Sequence, residues 1–216
     1  MKKINLVEHT INSLNLADQL KSKLPIEVSE CPGLSSRKIR HFLNNVCSFE
    51  GAKYLNVGLA SGSSFWSVIF ENNVEAVGCD WFSVTTDKST EIEFWKCLSN
   101  AIRYEKTVSD RNIQIYTKDS RLIDFKTKFN VFFYDIVHTD EEQYNNIIHF
   151  DKYMENEYIL IVDDYNEVGV KTGLERAMID LNYKLKLRAE LPGIFGYWDV
   201  NSDLWWNGLF VGVVEK

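Results

Sequence analysis

The chain has 216 residues, of which 45% are apolar and 25% charged, and this composition predicts one folded domain and excludes extensive disorder. Its 24 basic and 31 acidic side chains leave a formal net charge of −7. That charge argues against a broad phosphate-binding surface, and so against nucleic acid as a partner.

The first residues contain no apolar run long enough for a signal peptide or a membrane span, because polar residues such as Glu8 and His9 interrupt the stretch. We therefore expect a cytoplasmic protein without a membrane partner. The cysteines are widely spaced and form no CxxC pair, so free thiols are favoured over two disulfides. These cysteines are Cys31, Cys47, Cys79 and Cys97.

Residues 1–50 are predicted to form an N-terminal helical cap. Leucines recur there at helical spacing, and Ser35-Ser36 is a suitable N-cap for a helix over 37–47. The basic run 37–41 within this helix is interpreted as a solvated face rather than a phosphate site. The apolar residues that follow are expected to pack inward: Phe42, Leu43 and Val46.

From residue 51 onward, short apolar runs alternate with helical patterns. Strands are predicted over 54–58, 74–80, 112–117, 130–136 and 158–164. Helices are predicted over 65–70, 90–105, 140–153 and 170–181. The apolar runs are continuous rather than alternating, as in strands that are covered on both faces. The pattern therefore predicts an α/β fold with a parallel sheet and helices on both faces.

The last part of the chain has a different pattern. Residues 184–191 alternate between polar and apolar, and 209–216 form a final apolar run, so an antiparallel pair joined by the aromatic loop 193–208 is predicted. The aromatic residues suit an acceptor pocket, a homo-oligomer interface or core packing, and all three uses stay open. They are Phe195, Tyr197, Trp198, Trp205, Trp206 and Phe210. The whole chain, 1–216, is predicted as a single domain with its core in 51–216.

Ligand-binding residues in such a fold gather beyond the carboxyl ends of the strands. The first strand runs into a loop bounded by Gly58 and Gly62, and the helix start at Ser63 offers N–H groups to an anion. This loop lacks the G-x-G-x-x-G of nicotinamide enzymes. The later strand ends carry Asp80 with Trp81, Asp119 with Ser120, Asp135 with His138, and Asp163 with Asp164. Each aspartate alone also suits a helix cap or loop, but together they predict one binding site.

Four segments, taken in order, carry a family resemblance: YLNVGLASGSS, FYDIVHTDEEQY, ILIVDDYNEVGV and WWNGLFVGVVEK. They resemble motifs of the class I S-adenosylmethionine-dependent methyltransferases, and within them the macrocin-type branch of metal-assisted small-molecule O-methyltransferases. The resemblance covers residues 35–216. It implies a Rossmann-like sheet of seven mostly parallel strands, S-adenosylmethionine as cofactor and Mg²⁺ as metal. It also implies a small hydroxylated substrate, such as a sugar or a natural-product intermediate.

The resemblance implies roles for individual residues as well. His138 would be the general base, and Asp135 would act beside it as a catalytic residue. Asp135, Asp163 and Asp164 would hold Mg²⁺, since hard cations prefer carboxylate oxygens. The implied cofactor-binding residues are Asn56, Gly58, Ala60, Gly62, Ser63, Asp80, Trp81, Asp119, Ser120 and Asp135.

Two residues depart from the pattern of this family. Asn56 stands where an acid is usual, and an amide cannot balance the positive charge of the cofactor. Ile136 replaces the usual glycine after Asp135. These departures motivate an alternative interpretation, a non-catalytic binding or interaction protein with the same fold. A third interpretation is an oxidative enzyme of the same fold branch.

Overall fold

A seven-stranded sheet runs through the middle of the molecule. The structure, a computed structural model, describes residues 4–82, 92, 94–95, 112–194 and 204–216. The strands are β1 (Lys53–Val57), β2 (Glu75–Cys79), β3 (Ile113–Tyr116), β4 (Phe129–Tyr134), β5 (Met154–Val162), β6 (Lys184–Leu191) and β7 (Leu209–Glu215). Their order across the sheet is β3-β2-β1-β4-β5-β7-β6.

Strands β1 to β5 are parallel, whereas β7 runs antiparallel to both β5 and β6. The strand order reverses between β1 and β4, and α/β folds bind ligands outside the carboxyl ends of the strands at such a switch point. The predicted Rossmann-like, mostly parallel sheet of seven strands with an antiparallel terminal hairpin is confirmed.

Helices cover both faces of the sheet, as predicted. Within the described residues they are α1 (Leu6–Ala17), α2 (Ile26–Ser29), α3 (Arg37–Val46), α4 (Ser63–Ile69), α5 (Asp140–Asp151) and α6 (Val168–Asp180). Helices α1, α3 and α4 contribute to one buried cluster, and α5 and α6 contribute to a second. The predicted helix over 90–105 lies mostly outside the described residues.

Strand β1 shows how one strand serves both layers. Tyr54 packs into the cluster that contains α3 and α4, whereas Leu55 and Val57 pack into the cluster that contains α5 and α6. Successive side chains of a strand point to opposite faces, and here both faces are covered. This is why the strand is continuously apolar around Asn56, its one buried polar side chain.

The prediction that the basic run in α3 forms a solvated face is wrong for Arg40, which is fully buried. Its guanidinium donates hydrogen bonds to the carbonyls of Ser29, Cys31 and Gly33 and to Ser35 Oγ. Through these hydrogen bonds Arg40 holds segment 29–35 against α3. Charge counting could not foresee this, since the burial depends on a loop folding over the helix. The apolar side chains of α3 pack inward as expected: Phe42, Leu43 and Val46.

The terminal aromatic residues that the structure describes belong to the core. Trp205 and Trp206 lie in the first buried cluster, and Phe210 lies in the second. Core packing is therefore the correct interpretation for these three residues. The others lie outside the described residues: Phe195, Tyr197 and Trp198.

The described cysteines are free thiols, as predicted, and Cys97 lies outside the described residues. Among the helices of the described ranges, none has the length and apolar character needed to cross a membrane.

Candidate functional site

The loop after β1 packs tightly against the end of β4. Gly58 and Gly62 have φ values of 95° and 85°, in a region that L side chains rarely adopt. A Cβ on Gly58 would overlap the backbone carbonyl of Asp135. The Asp135 N–H in turn donates to the Val57 carbonyl at 2.9 Å. The glycine loop therefore lies directly beside the first residue after β4.

Asn56, which replaces the usual acid, is fully buried. Its Nδ2 donates to the Gly58 carbonyl at 2.6 Å, and its Oδ1 accepts from the Tyr54 hydroxyl at 3.2 Å and from Ser64 Oγ at 3.3 Å. A carboxylate can accept the last two hydrogen bonds but has no donor for Gly58. The amide thus holds the glycine loop through a hydrogen bond that an ionised acid cannot make.

Asp80 supports the same loop from the end of β2. Its Oδ2 accepts from the N–H groups of Leu59 at 2.8 Å and Ala60 at 2.9 Å. Burial raises the pKa of this carboxyl, although the hydrogen bonds from the loop oppose the shift. Two amides of the loop are thus directed at Asp80 rather than at a ligand. The next residue, Ser61, has a buried Oγ without a hydrogen-bond partner in the part of the chain described.

A cleft of about 320 Å³ lies at the carboxyl ends of β2, β3 and β4. Four of the residues predicted to bind the cofactor line it together: Asp80, Trp81, Asp119 and Ser120. Trp81 is 51% exposed, so its indole is accessible to a ligand. Arg121, another lining residue, donates to the Asp119 carboxylate at 3.1 Å and holds its pKa below the usual range.

A carboxylate–imidazole cluster lies where β4 and β5 end. His138 Nε2 is 3.0 Å from Asp164 Oδ2 and 3.8 Å from Asp135 Oδ1. One potential ligand atom from each of these residues lies within 4.8 Å of the others. Asp163, the third predicted ligand, is buried, and its Oδ1 accepts from the Asp164 N–H at 3.0 Å. The structure thus groups Asp135 and Asp164 with His138, while Asp163 supports the backbone of Asp164.

The carboxylates determine the charge of His138. The neighbouring Asp135 and Asp164 raise the pKa of His138 to about 11, so the ring is protonated at neutral pH. Desolvation raises the pKa of Asp135 to about 6, and burial raises that of Asp163 well above its usual range. The ring can accept a proton near neutral pH only after the negative charge around it has been neutralised.

Two residues on the other side of His138 were not predicted. Its Nδ1 is 3.0 Å from Glu167 Oε1, and the same oxygen accepts from Asn207 Nδ2 at 3.2 Å. Glu167 is the N-cap residue of α6, and Asn207 lies in the turn before β7. The sequence holds no signal for this pair, since 40 positions separate the two residues. The cleft residues Arg121, Glu142 and Asn146 were not predicted either.

The residues present fit the two groups that the family resemblance implies. The cleft combines an accessible indole with buried and exposed polar groups, and its volume lies in the range of small-molecule sites. In the cluster, Asp164 Oδ1 is buried and has no hydrogen-bond partner among the described residues. Such an oxygen costs free energy unless a donor or a cation satisfies it.

Comparison with known proteins identifies the fold. No family model matches the chain, and no curated protein matches it. Among solved structures, an O-methyltransferase from Bacillus cereus in complex with SAH is 13% identical over 100% of this chain and 93% of its own, with a TM-score of 0.58. A proposed O-methyltransferase from Klebsiella pneumoniae is 12% identical over 100% and 92%, with a TM-score of 0.59.

The structural matches also include a methyltransferase of another substrate class and a protein that is longer than this chain. A proposed RNA methyltransferase from Pyrococcus horikoshii is 10% identical over 100% of this chain and 99% of its own, with a TM-score of 0.56. The chain spans about half of a longer relative from Streptococcus mutans, with 13% identity, 86% of this chain covered and a TM-score of 0.58. At such identities the likeness shows the fold alone, which is that of the class I methyltransferases. What the chain binds must be argued from its own residues.

Proposed function

We propose that this protein binds S-adenosylmethionine and transfers its methyl group to a hydroxyl of a small molecule, with the help of a divalent cation. One observation carries the proposal. The cleft shares part of its wall, Ile136 and Val137, with the segment that joins Asp135 to His138. A cleft of ligand size and a carboxylate–imidazole cluster therefore meet at the switch point of the sheet, where this architecture binds ligands.

The adenosine part of the cofactor is assigned to the cleft. Trp81 would cover one face of the adenine, and Asp80 would accept from the ribose hydroxyls. The polar groups from Ser61 to Ser63 would face the methionine part, because Asp80 already engages the amides of Leu59 and Ala60. When bound, S-adenosylmethionine supplies an electrophilic methyl group, whose S–CH₃ bond breaks as an O–CH₃ bond forms and S-adenosylhomocysteine is left.

The cation is assigned to Asp135 and Asp164, whose carboxylates flank His138. A bound divalent cation supplies charge that lowers the pKa of a substrate hydroxyl. His138 is the proposed acceptor of the hydroxyl proton, at Nε2. This role requires neutralisation of the two carboxylates, since they otherwise keep the ring protonated. Asp163 would maintain the position of Asp164 through its backbone N–H.

The acceptor is proposed to be a small hydroxylated molecule rather than RNA. The net charge of −7 opposes binding of a polyanion, and the acidic cluster beside the cleft would repel a phosphodiester backbone. The O-methyltransferases among the structural matches are of the reaction type proposed here. The RNA methyltransferase among them defines the competing class.

Isothermal titration with S-adenosylmethionine and S-adenosylhomocysteine tests the cofactor assignment. We expect one site per chain, and we expect Asp80→Asn to weaken it, because an amide is a poorer acceptor than a carboxylate for ribose hydroxyls. Asp124→Asn is the control, since Asp124 pairs with Lys126 at the surface. An absence of binding for both compounds would overturn the proposal.

Transfer of a radiolabelled methyl group to fractionated small molecules and to RNA tests the reaction. We expect label in a small-molecule fraction, loss of transfer with a chelator, and recovery with Mg²⁺. Asp164→Asn should remove the metal dependence together with the activity. Labelled RNA would instead identify the competing substrate class. Tight cofactor binding without any labelled acceptor would favour the non-catalytic interpretation, and a requirement for iron and an oxidant would favour the oxidative one.

A further inference from the structure

The imidazole of His138 is held from two sides. Its Nε2 faces Asp164 and Asp135, and its Nδ1 is 3.0 Å from Glu167 Oε1. An imidazole with a carboxylate at Nδ1 has a defined ring orientation, and only Nε2 remains for exchange with another group. The geometry therefore distinguishes the two nitrogens of this ring.

Glu167 is itself fixed. Its N–H donates to the Asp164 carbonyl at 2.9 Å, and its Oε1 also accepts from Asn207 Nδ2 at 3.2 Å. Asn207 is buried, in the turn whose Gly208 carbonyl accepts from the Tyr165 N–H at 3.0 Å. The end of β5 and the turn before β7 thus hold the glutamate from both sides.

We propose that Glu167 is the positioning residue of His138. It accepts the Nδ1–H hydrogen bond and aims Nε2 at the space beside Asp135 and Asp164, and Asn207 holds Glu167 in place. The inference deepens the proposed function, on which its catalytic meaning rests. The arrangement around the ring is a property of the fold, however, and can be measured without any reaction.

The ring itself provides the first measurement. The chain has only four histidines, so the imidazole ¹H and ¹⁵N resonances of His138 can be assigned from their loss in His138→Gln. In the metal-free protein we expect a slowly exchanging Nδ1–H proton. Its exchange should accelerate in Glu167→Gln, which keeps an acceptor oxygen, and more so in Glu167→Ala, which keeps none. An unchanged Nδ1–H resonance in both variants would overturn the proposal.

Kinetics provide the second measurement. We expect Glu167→Gln to lower kcat by roughly 10–100-fold, the usual effect of losing a carboxylate that orients a functional histidine. The affinity for S-adenosylhomocysteine should stay within about twofold, because none of the described residues that Glu167 contacts lines the cleft. Glu155→Gln is the matched control, since it makes the same chemical change at the opposite end of β5. It should alter neither readout.

The two measurements separate the two proposals. Altered Nδ1–H exchange together with a lower kcat supports both the positioning of His138 by Glu167 and the proposed methyl transfer. Altered exchange in a protein whose wild type transfers no methyl group supports the positioning of His138 and removes the proposed reaction. A normal kcat in Glu167→Ala, with methyl transfer intact in the wild type, contradicts the positioning role even if the resonance moves.

Discussion

Asn56 shows, at the scale of one residue, how a departure from a family pattern can have a local structural reason. Its side chain is buried and donates to the Gly58 carbonyl while accepting from two hydroxyls. The amide therefore stabilises the loop directly, whatever its effect on the charge of a cofactor.

Replacing Asn56 by the isosteric Asp should destabilise the protein near neutral pH. The Gly58 carbonyl loses its donor and faces a buried carboxylate, so we expect the free energy of unfolding to fall by about 1–3 kcal/mol. Urea unfolding measures this change. Asn12→Asp, at an exposed position of α1, should leave the free energy of unfolding nearly unchanged. Equal stability of the two variants would show that the hydrogen bond to Gly58 contributes nothing.

His138 should make the stability of the metal-free protein depend on pH. Its pKa in the folded state is about 11, above its ordinary value of 6.5, so the folded state binds the proton more tightly. The resulting stabilisation is complete below pH 6.5 and is lost as the pH rises towards 11. Asp135, with a pKa of about 6, is mostly ionised above pH 7 and adds little slope there.

Urea unfolding of wild type and His138→Gln between pH 7 and pH 10 checks this prediction. The difference in free energy of unfolding between the two proteins should shrink steadily across the range. A constant difference would mean that His138 is not held protonated by Asp135 and Asp164. Titrating groups outside the cluster are common to both proteins and cancel in the comparison, whereas His138 lowers the pKa values of Asp135 and Asp163, so these two carboxyls respond to its removal.

At the scale of elements, the glycine loop and the end of β4 must approach each other closely. Gly58 and Gly51 both have positive φ, but a Cβ on Gly58 would overlap the Asp135 carbonyl, whereas a Cβ on Gly51 would meet open space. Substitutions at these two glycines therefore separate the cost of an unfavourable φ from the cost of steric overlap.

We expect Gly51→Ala to cost about 1–2 kcal/mol, from the unfavourable φ alone. Gly58→Ala should cost considerably more, because the Asp135 carbonyl belongs to the backbone and cannot move aside without disturbing β4. Thermal and urea unfolding of both variants measure the costs. Similar losses for the two alanines would indicate that the loop and β4 can separate freely.

Segment 29–35 makes a second contact between elements, because it lies between α3 and the start of α4. Ser35 Oγ lies 3.0 Å from Ser63 Oγ at the start of α4, and Arg40 Nε donates to Ser35 Oγ at 3.0 Å. The N-terminal part of the chain thus touches the glycine loop through a hydrogen-bonded series. A basic residue on a helix predicts solvent contact from charge alone, and only the folded loop above it explains the burial of Arg40.

At the scale of the whole molecule, cofactor binding should stabilise the fold. A ligand at 100 times its Kd adds about 2.7 kcal/mol, and each kcal/mol raises the Tm of a chain of this size by about 2–4 °C. We therefore expect S-adenosylhomocysteine to raise the Tm by about 5–10 °C. NAD should have no effect, because the loop lacks the dinucleotide pattern. A shift with NAD, or none with S-adenosylhomocysteine, would contradict the assignment of the cleft.

Residue patterns along the chain were enough to predict the sheet, and they predicted a candidate site beyond the carboxyl ends of its strands. Continuous apolar runs indicate strands covered on both faces, and parallel strands place their carboxyl ends at one edge. For this reason the residues after β2, β3, β4 and β5 could be expected together: Asp80, Asp119, Asp135, and Asp163 with Asp164. Periodicity and chain direction are properties of local sequence, so they can be read without coordinates.

The folded structure was needed to show which side chains contact each other. It grouped His138 with Asp135, Asp164 and Glu167, and it directed Asp163 to the Asp164 N–H. These contacts depend on side-chain direction and on turns that are distant in sequence, such as the one that brings Asn207 to Glu167. Strand patterns predict where the ends of strands meet. The hydrogen bonds within the site form only when the helices have packed on both faces of the sheet.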